Sequence, residues 1–154
     1  MMYKKILLPI DGSENSKRAA THAIDIANVS DGDITLLFVV EQFYPKYAVL
    51  PTTVNSPDDD YFEEVRNEGV QIIKDFKKDL EENQCKGKCE NIHFKTLVKE
   101  GKAYIEILKT MNEKNFDLVV MGASGRRSTL DRITLGSVTE RVIREANVPV
   151  IVIP

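Results

Sequence analysis

The chain alternates short apolar runs with longer amphipathic stretches, and this alternation restricts the fold more than any other feature. Each apolar run suits one β-strand, and each amphipathic stretch repeats its apolar residues at three- and four-residue steps. The pattern predicts strands at 6–8, 34–40, 92–98, 117–121 and 148–153, and helices at 13–28, 58–83, 103–113 and 137–146. Such alternation is typical of one parallel sheet covered by helices on both faces. We therefore predict a single doubly wound α/β domain over residues 1–154.

The order of the strands decides where a ligand can bind. Right-handed crossovers leave few topologies, and ligands bind beyond the carboxyl ends of the strands where the strand order reverses. The first strand is the natural switch point, with the fourth as its neighbour. This arrangement places Pro9, Ile10 and Asp11 beside the segment from Gly122 to Gly125.

The composition narrows the possible functions. Of the 154 residues, 42% are hydrophobic and 29% are charged, as is usual for a globular protein. The net charge of −3 arises from interspersed charges, which argues against general nucleic-acid binding because that needs a basic face. No apolar run reaches the roughly 18 residues of a membrane span, and the N-terminus lacks the pattern of a signal peptide. We expect a cytoplasmic protein.

Two cysteines, Cys85 and Cys89, lie between the second helix and the third strand. They are compatible with a redox pair, with half of a zinc site, or with two reduced thiols in a turn. Zinc would need two further ligands, and the two histidines, His22 and His93, fall within a predicted helix and a predicted strand. We therefore expect reduced thiols.

Two irregular features interrupt the pattern. The segment 41–57 contains three prolines, and irregular loops of this length are uncommon and often serve as lids or interaction segments. A mobile, solvated insertion is the alternative. Gly69 lies on the apolar face of the long helix, where glycine costs about 1 kcal/mol relative to alanine. We expect close packing at that position.

The segment from Met121 to Glu140 combines glycines, arginines and hydroxyl residues at the end of a strand. Gly122 and Gly125 lack a Cβ, so a ligand can approach the backbone closely. Gly136 precedes a helix whose N-terminal N–H groups and partial positive charge suit a phosphate. The segment therefore predicts an anion site beside the end of the first strand.

Several residues of this site have a structural as well as a functional interpretation. Ser137 and Glu140 fit the S-x-x-E capping box, so Ser137 either caps its own helix, meets a phosphate, or does both. Asp11 either accepts hydrogen bonds from ribose hydroxyls or caps the first helix together with Ser13. In the same segment, Arg126, Arg127 and Arg132 are either cationic donors to the ligand or parts of an exposed basic loop.

The equipment for rapid phosphoryl transfer is missing from the sequence. Neither the P-loop pattern nor the dinucleotide fingerprint occurs, and no Ser–His–Asp arrangement is readable. Asp131 either helps to hold Mg²⁺ or is a solvated loop residue. Micromolar affinity needs about −8 kcal/mol, which a helix N-terminus, several charged hydrogen bonds and a buried adenine can supply. We therefore expect binding rather than catalysis.

The chain resembles the universal stress protein family along nearly its whole length. The resemblance is carried by residues 5–13 (KILLPIDGS), 36–40 (LLFVV), 121–125 (MGASG), 135–140 (LGSVTE) and 148–152 (VPVIV). In the family motif, nine residues separate the second glycine from the glycine that precedes serine or threonine. Ten residues, Arg126 to Leu135, separate Gly125 from Gly136 here. We expect the extra residue to form a bulge between Arg126 and Thr129.

The resemblance implies a five-stranded sheet with strand order 3-2-1-4-5, like that of the adenine nucleotide alpha hydrolases, and a cleft for ATP or AMP. It also implies a homodimer, and the apolar strand 148–153 supplies an independent reason, because an uncovered apolar edge is an aggregation hazard. The site residues that the resemblance implies surround adenine and ribose or meet the phosphates: Pro9, Ile10, Asp11, Val39, Met121, Gly122, Ala123, Ser124, Gly125, Arg127, Gly136, Ser137, Val138 and Thr139.

These observations lead to a nucleotide-dependent regulatory or stress-response protein with an unidentified protein partner. On this hypothesis, occupancy by ATP or AMP changes the surface formed by residues 122–136 and 41–57. A slow Mg²⁺-dependent ATPase or phosphotransferase that uses Arg126, Arg127 or Asp131 is the alternative. A flavodoxin-like or response-regulator domain of the same topology would need an acidic cluster and a lysine at the strand ends, which the sequence does not supply there.

Overall fold

The computed structural model describes residues 2–41, 59–124 and 135–154, with residues 59–62 described by their backbone alone. Within these ranges strands and helices alternate along the chain, as the apolar pattern predicts. The strands are β1 (Lys5–Ile10), β2 (Asp33–Val40), β3 (Phe94–Glu100), β4 (Leu118–Gly122) and β5 (Val150–Ile153). The helices are α1 (Glu14–Ser30), α2 (Asp59–Asp79), α3 (Ala103–Glu113) and α4 (Ser137–Glu145), and a π-helical turn (Leu80–Gln84) continues α2.

The strands form one parallel sheet in the order β3-β2-β1-β4-β5, which confirms the predicted topology. β1 lies at the centre, where the strand order reverses. Its residues Lys5 to Ile10 pair with Asp33 to Phe38 of β2, and on the other side Ile6 lies opposite Leu118 of β4. The carboxyl ends of β1, β2 and β4 therefore meet at one edge of the sheet.

Both faces of the sheet are covered by helices, as predicted. Ile6 and Leu8 of β1 belong to the core beneath α1 and α2, whereas Leu7 points to the opposite face and packs with α3 and α4. All three side chains are completely buried. A central strand that is buried on both faces explains why this run is continuously apolar rather than alternating.

Gly69 confirms the expectation of close packing. A Cβ atom at this position would lie 2.7 Å from Cγ2 of Val40 and 3.2 Å from Cε1 of Phe38. The glycine therefore lets α2 lie directly against the carboxyl end of β2, where it forms one wall of the space described below.

The expectation of two reduced thiols is wrong, because the structure joins Cys85 and Cys89 in a disulfide. The π-helical turn ends at Cys85, whose N–H donates to the carbonyl oxygen of Leu80 at 2.9 Å. Lys86 and Gly87 then adopt φ values of 42° and 80°, which turn the chain back on itself. The turn brings the two cysteine Cα atoms to 5.3 Å, within the range that a disulfide requires.

Two strands begin two residues later than predicted. Ile92 does not join the sheet, since its N–H donates to the carbonyl oxygen of Cys89 at 3.1 Å in the preceding turn. His93 therefore precedes β3 instead of lying within it. β5 begins at Val150 because Pro149 has no N–H, although its carbonyl oxygen still accepts from Val119 at 3.0 Å.

The long segment 41–57 falls almost entirely outside the described residues, so both hypotheses about it remain predictions. Among the helices that the structure describes, none combines the length and apolar character needed to cross a membrane.

Candidate functional site

A cavity of about 780 Å³ lies at the carboxyl edge of the sheet, where the strand order reverses. The ends of β1, β2 and β4 form its floor, and residues of α2, α3 and the start of α4 form its walls. Its volume is within the range of small-molecule binding sites. The fold thus places a ligand-sized space where the topology of the sheet predicts one.

Most of the residues predicted from the sequence line this cavity: Pro9, Ile10, Asp11, Val39, Met121, Gly122, Ser124, Gly136, Ser137, Val138 and Thr139. Ala123 does not line it, because its backbone is used within the fold. The N–H of Ala123 donates to Ile153 at 2.8 Å, and its carbonyl oxygen accepts from Gly136 at 2.7 Å. Gly125 and Arg127 lie outside the described residues, as do Arg126, Asp131 and Arg132.

At the end of β1, Asp11 takes part in the start of α1. Its Oδ1 accepts a hydrogen bond from the N–H of Ser13 at 2.9 Å and from the hydroxyl of Ser16 at 2.8 Å. Ser13 is the N-cap of α1, and its side chain accepts from the N–H of Ser16 at 3.2 Å. The structural interpretation of Asp11 is therefore present in the fold. Because a carboxylate can accept several hydrogen bonds and Asp11 also lines the cavity, a contact with ribose remains a prediction.

Gly122 lines the cavity and also has a packing role that the sequence did not indicate. A Cβ atom here would lie 2.8 Å from the Cβ of Asn15 and 3.3 Å from the backbone carbonyl carbon and oxygen of that residue. The first turn of α1 occupies the space beside the glycine. Gly122 therefore allows the start of α1 to pack against the end of β4, and the ligand is not needed to explain it.

The capping box predicted at Ser137 is wrong. Gly136 is the N-cap of α4, no side chain of the described residues caps the helix, and Ser137 is its first helical residue. Glu140 lies one position too far along the helix to reach back to the N-cap, and it pairs instead with Arg144 at 2.7 Å. The S-x-x-E pattern would require Ser137 to be the N-cap, but the N-cap lies one residue earlier, at Gly136.

The start of α4 nevertheless faces the cavity with backbone N–H groups that have no partner among the residues that the structure describes. The first N–H groups of a helix have no partner one turn earlier within that helix, and in α4 these belong to Ser137, Val138 and Thr139. The N–H of Gly136 is engaged with Ala123, and the hydroxyl of Thr139 donates to the carbonyl oxygen of Gly122 at 2.9 Å. These two bonds attach the start of α4 to the end of β4.

The end of β2 presents a backbone acceptor to the opposite side of the cavity. Hydrogen bonds alternate in direction along a strand, and Val40 accepts from the N–H of Gly101 at 3.0 Å on the β3 side. The carbonyl of Val39 therefore points towards β1. Pairing with β1 ends where Ile10 lies opposite Phe38, so this carbonyl is directed into the space beyond β1.

Comparison with known proteins identifies the family. The model of the universal stress protein family matches residues 2–154. The chain belongs to this family. Universal stress protein MJ0531 of Methanocaldococcus jannaschii is 38% identical over 156 aligned residues, which cover 99% of this chain and 82% of that protein.

Solved structures of the family share the fold. Universal stress protein UspA from Lactobacillus plantarum superposes with a TM-score of 0.74 at 25% identity, covering 100% of this chain and 99% of that one. A universal stress protein family protein from Arabidopsis thaliana, which has AMP bound, gives a TM-score of 0.59 at 20% identity and covers 97% of this chain and 90% of that one. The second likeness establishes the common fold alone.

The sequence did not indicate the apolar walls of the cavity in this universal stress protein. They consist of Leu37, Phe38, Val40, Val65, Gly69, Ile72, Ala103, Ile107 and Leu135. Along the sequence these residues are indistinguishable from other core residues of strands and amphipathic helices. Only Gly69 carried a signal, because a glycine on the apolar face of a helix indicates close contact with another element.

Carboxylates occur at the wall formed by α2 and the start of α3. Glu41 and Glu68 line the cavity, and Oε1 of Glu41 accepts from the N–H of Ala103 at 3.1 Å. Nearby, Arg66 is bonded to Glu100; this hydrogen bond and the attraction of the same carboxylate raise the pKa of Arg66 above its usual value. In residues 2–41, 59–124 and 135–154 no group of three or more histidine, cysteine, aspartate or glutamate residues is placed to hold a metal ion.

Proposed function

We propose that this universal stress protein binds an adenine nucleotide, ATP or AMP, in the cavity at the carboxyl edge of the sheet, and that occupancy acts as a regulatory signal in a stress response. One observation carries the proposal. A single cavity joins an apolar slot beside β2 to the uncapped N-terminus of α4. A nucleotide has the same two parts, an apolar base and an anionic tail.

The slot beside β2 suits adenine. Its walls include Val40, Val65 and Ile72, which offer apolar contact to a flat base. The carbonyl of Val39 is an acceptor at the edge of this slot and matches the amino group of adenine. Hypoxanthine and guanine carry a carbonyl oxygen at that position, which would face the Val39 oxygen without a proton between them.

The start of α4 suits the phosphates. The N–H groups of Ser137, Val138 and Thr139 and the positive end of the helix dipole favour an anion there. Ser124 lines the cavity close to the same end of the sheet. Asp11 lies between the two ends of the cavity, on the central strand side, which is the place for contact with a ribose hydroxyl.

The first test is to denature the purified protein and to identify any released nucleotide by mass spectrometry. Calorimetry then measures the affinity of the emptied protein for ATP, AMP and adenosine. We expect binding of all three, with the nucleotides bound more tightly than adenosine because only they reach α4. An absence of heat and of any melting shift at millimolar ATP and AMP would refute the proposal.

The base itself is tested by comparing AMP with IMP, which have the same ribose and phosphate. IMP replaces the amino group with a carbonyl oxygen, so the Val39 acceptor would be left opposite another acceptor. An unsatisfied buried acceptor costs about 1–3 kcal/mol, so we expect AMP to bind about 5- to 150-fold more tightly than IMP. Equal affinities would place the base elsewhere.

We also propose that the protein is cytoplasmic and forms a homodimer through the strand at 148–153. β5 is at the edge of the sheet, and Val150 to Val152 are partly exposed. The carbonyls of Pro149 and Ile153 accept from β4, so by alternation the backbone groups of Val150 and Val152 face the open edge.

Light scattering tests the dimer. Val152→Pro removes an N–H from the open edge while the bonds to β4 are kept, so we expect this variant to be monomeric and the Val152→Ala control to remain dimeric. A monomeric unmodified protein at micromolar concentration would contradict the proposed dimer without affecting the nucleotide site.

A further inference from the structure

Asn15, in the first turn of α1, reaches the chain just after β4 through its side-chain amide. Its Nδ2 donates to the carbonyl oxygen of Ser124 at 2.7 Å and to the Ser124 hydroxyl at 2.7 Å. Asn15 itself is not among the residues that line the cavity, whereas Ser124 is. Any effect of Asn15 on a ligand would therefore act through Ser124.

The orientation of this amide is determined by a second contact. The guanidinium of Arg18 donates to Oδ1 of Asn15, and its Nε donates to the carbonyl oxygen of Pro154 at 3.1 Å. An arginine has donors only, so the atom that it contacts must be the amide oxygen. The amide nitrogen is thereby directed towards Ser124.

These contacts determine what Ser124 can offer to a ligand. A serine hydroxyl has one proton to donate, and its oxygen already accepts from Asn15. The hydroxyl proton is therefore left to point away from Asn15. Because Ser124 lines the cavity, this proton can be donated to a ligand acceptor there, such as an oxygen atom of a phosphate group.

We propose that Asn15 is a positioning residue for the phosphate end of the site, and that Arg18 sets the orientation of its amide. The inference depends on the proposed function, since it assigns a role to Asn15 in binding the anionic tail of the nucleotide. Asn15 holds the backbone and the hydroxyl of Ser124 in place, and the hydroxyl donates to a phosphate oxygen. Through Arg18 the same contact reaches the residue that follows β5.

The test is the ratio of the affinities for ATP and for adenosine, measured by calorimetry on the full chain. Asn15→Ala is expected to weaken ATP binding about tenfold, the usual scale for the loss of one hydrogen bond to a charged group, and to leave adenosine binding within about twofold. Asn28→Ala is the matched control, since Asn28 is exposed on the same helix. We expect this control to leave both affinities unchanged.

Two further variants separate positioning from a general loss of structure. Arg18→Met removes the guanidinium, so it should lower ATP affinity about three- to tenfold by freeing the amide to rotate. Ser124→Ala should reduce ATP affinity to the same extent as Asn15→Ala, and the double variant should show no additional loss. If Asn15→Ala does not fold, as judged by its melting curve, the ratio measured for Arg18→Met decides the question.

The failure of this inference is distinct from the failure of the proposed function. An unmodified protein that binds neither ATP nor adenosine would refute the proposed function. A protein that prefers ATP to adenosine, and keeps that preference in the Asn15→Ala and Arg18→Met variants, would overturn the role of Asn15 alone.

Discussion

Helices α1 and α4 follow the neighbouring strands β1 and β4 at the carboxyl edge of the sheet, and their first turns are capped differently. At the start of α1 the N-cap Ser13 accepts from the N–H of Ser16, and Asp11 accepts from the N–H of Ser13 and from the hydroxyl of Ser16. The start of α4 has a glycine N-cap, and no side chain in the described part of the chain caps it. The N-cap of α1 thus supplies a side-chain acceptor to one of the N–H groups that have no partner within the helix, whereas among the described residues no side chain does so at α4.

Under the proposed function, this difference distinguishes the helix start that meets the ligand from the one that does not. A serine N-cap stabilises a helix by about 1 kcal/mol relative to alanine, but glycine at that position costs only roughly a few tenths of a kcal/mol relative to serine. A phosphate at the open helix start would supply a stronger acceptor than a serine oxygen because it is charged. On this view α1 belongs to the scaffold, and α4 gains its cap when a nucleotide binds.

The largest effect on the α1 side is expected from Gly122→Val. A Cβ atom at Gly122 would lie 2.8 Å from the Cβ of Asn15, and valine adds two methyl groups to it. Overpacking of this kind destabilises proteins by about 1–3 kcal/mol. Urea denaturation should therefore show a lower free energy of unfolding, even without nucleotide.

A double variant tests whether the contact with Asn15 causes this loss of stability. Adding Asn15→Gly to Gly122→Val removes the atom that makes the closest contact, so part of the lost stability should return. A Gly122→Val protein as stable as the unmodified one would mean that α1 moves away from β4 without cost. The close packing of Gly122 on Asn15 would then contribute nothing to the free energy of unfolding.

On the α4 side, Gly136→Asp should abolish the difference between the two helices. Gly136 has φ −65° and ψ 156°, which an aspartate can adopt. Its carboxylate would accept from the N–H groups at the helix start and repel a phosphate, so we expect ATP affinity to fall about 10- to 100-fold, the range for losing one or more charged hydrogen bonds.

Adenosine binding separates this effect from misfolding. Adenosine has no phosphate, so Gly136→Asp should leave its affinity within about twofold, and Gly136→Ala should retain most of the ATP affinity because alanine adds neither charge nor acceptor. An equal loss of ATP and adenosine binding would show that the substitution damages the cavity itself.

The sequence predicted the fold well because the relevant signals are repeated along many residues. The apolar runs, their alternation with helices and the position of the switch point each depend on several side chains, so a shift of β3 or β5 by two residues changes nothing essential. The cavity edge was predicted for the same reason. Pro9 to Asp11 and Met121 to Ser124 follow strands, and strand ends meet at one edge of a parallel sheet.

Predictions that depended on one residue or on contacts across the chain were less successful. The capping-box prediction failed because the S-x-x-E pattern at Ser137 does not show which residue is the N-cap, and the N-cap is Gly136. The packing of Gly122 was not predicted, because Asn15, more than one hundred positions earlier, supplies the neighbouring atoms. The contact between Asn15 and Ser124 has no local pattern at all, and only the packing of α1 against β4 brings these residues together.

The smallest effects are expected from removing the two serines at the helix starts, and they should differ in kind. Ser13→Ala removes the cap of α1 and should lower the free energy of unfolding by about 1 kcal/mol, with little change in ATP affinity. Ser137 is the first helical residue of α4 and caps nothing. Ser137→Ala should therefore leave stability unchanged, and any effect should appear only in ATP affinity. Urea denaturation and calorimetry on both variants measure the two quantities. If Ser137→Ala lost as much stability as Ser13→Ala, α4 would be capped by its own side chain in solution, and the contrast between an occupied and an open helix start would disappear.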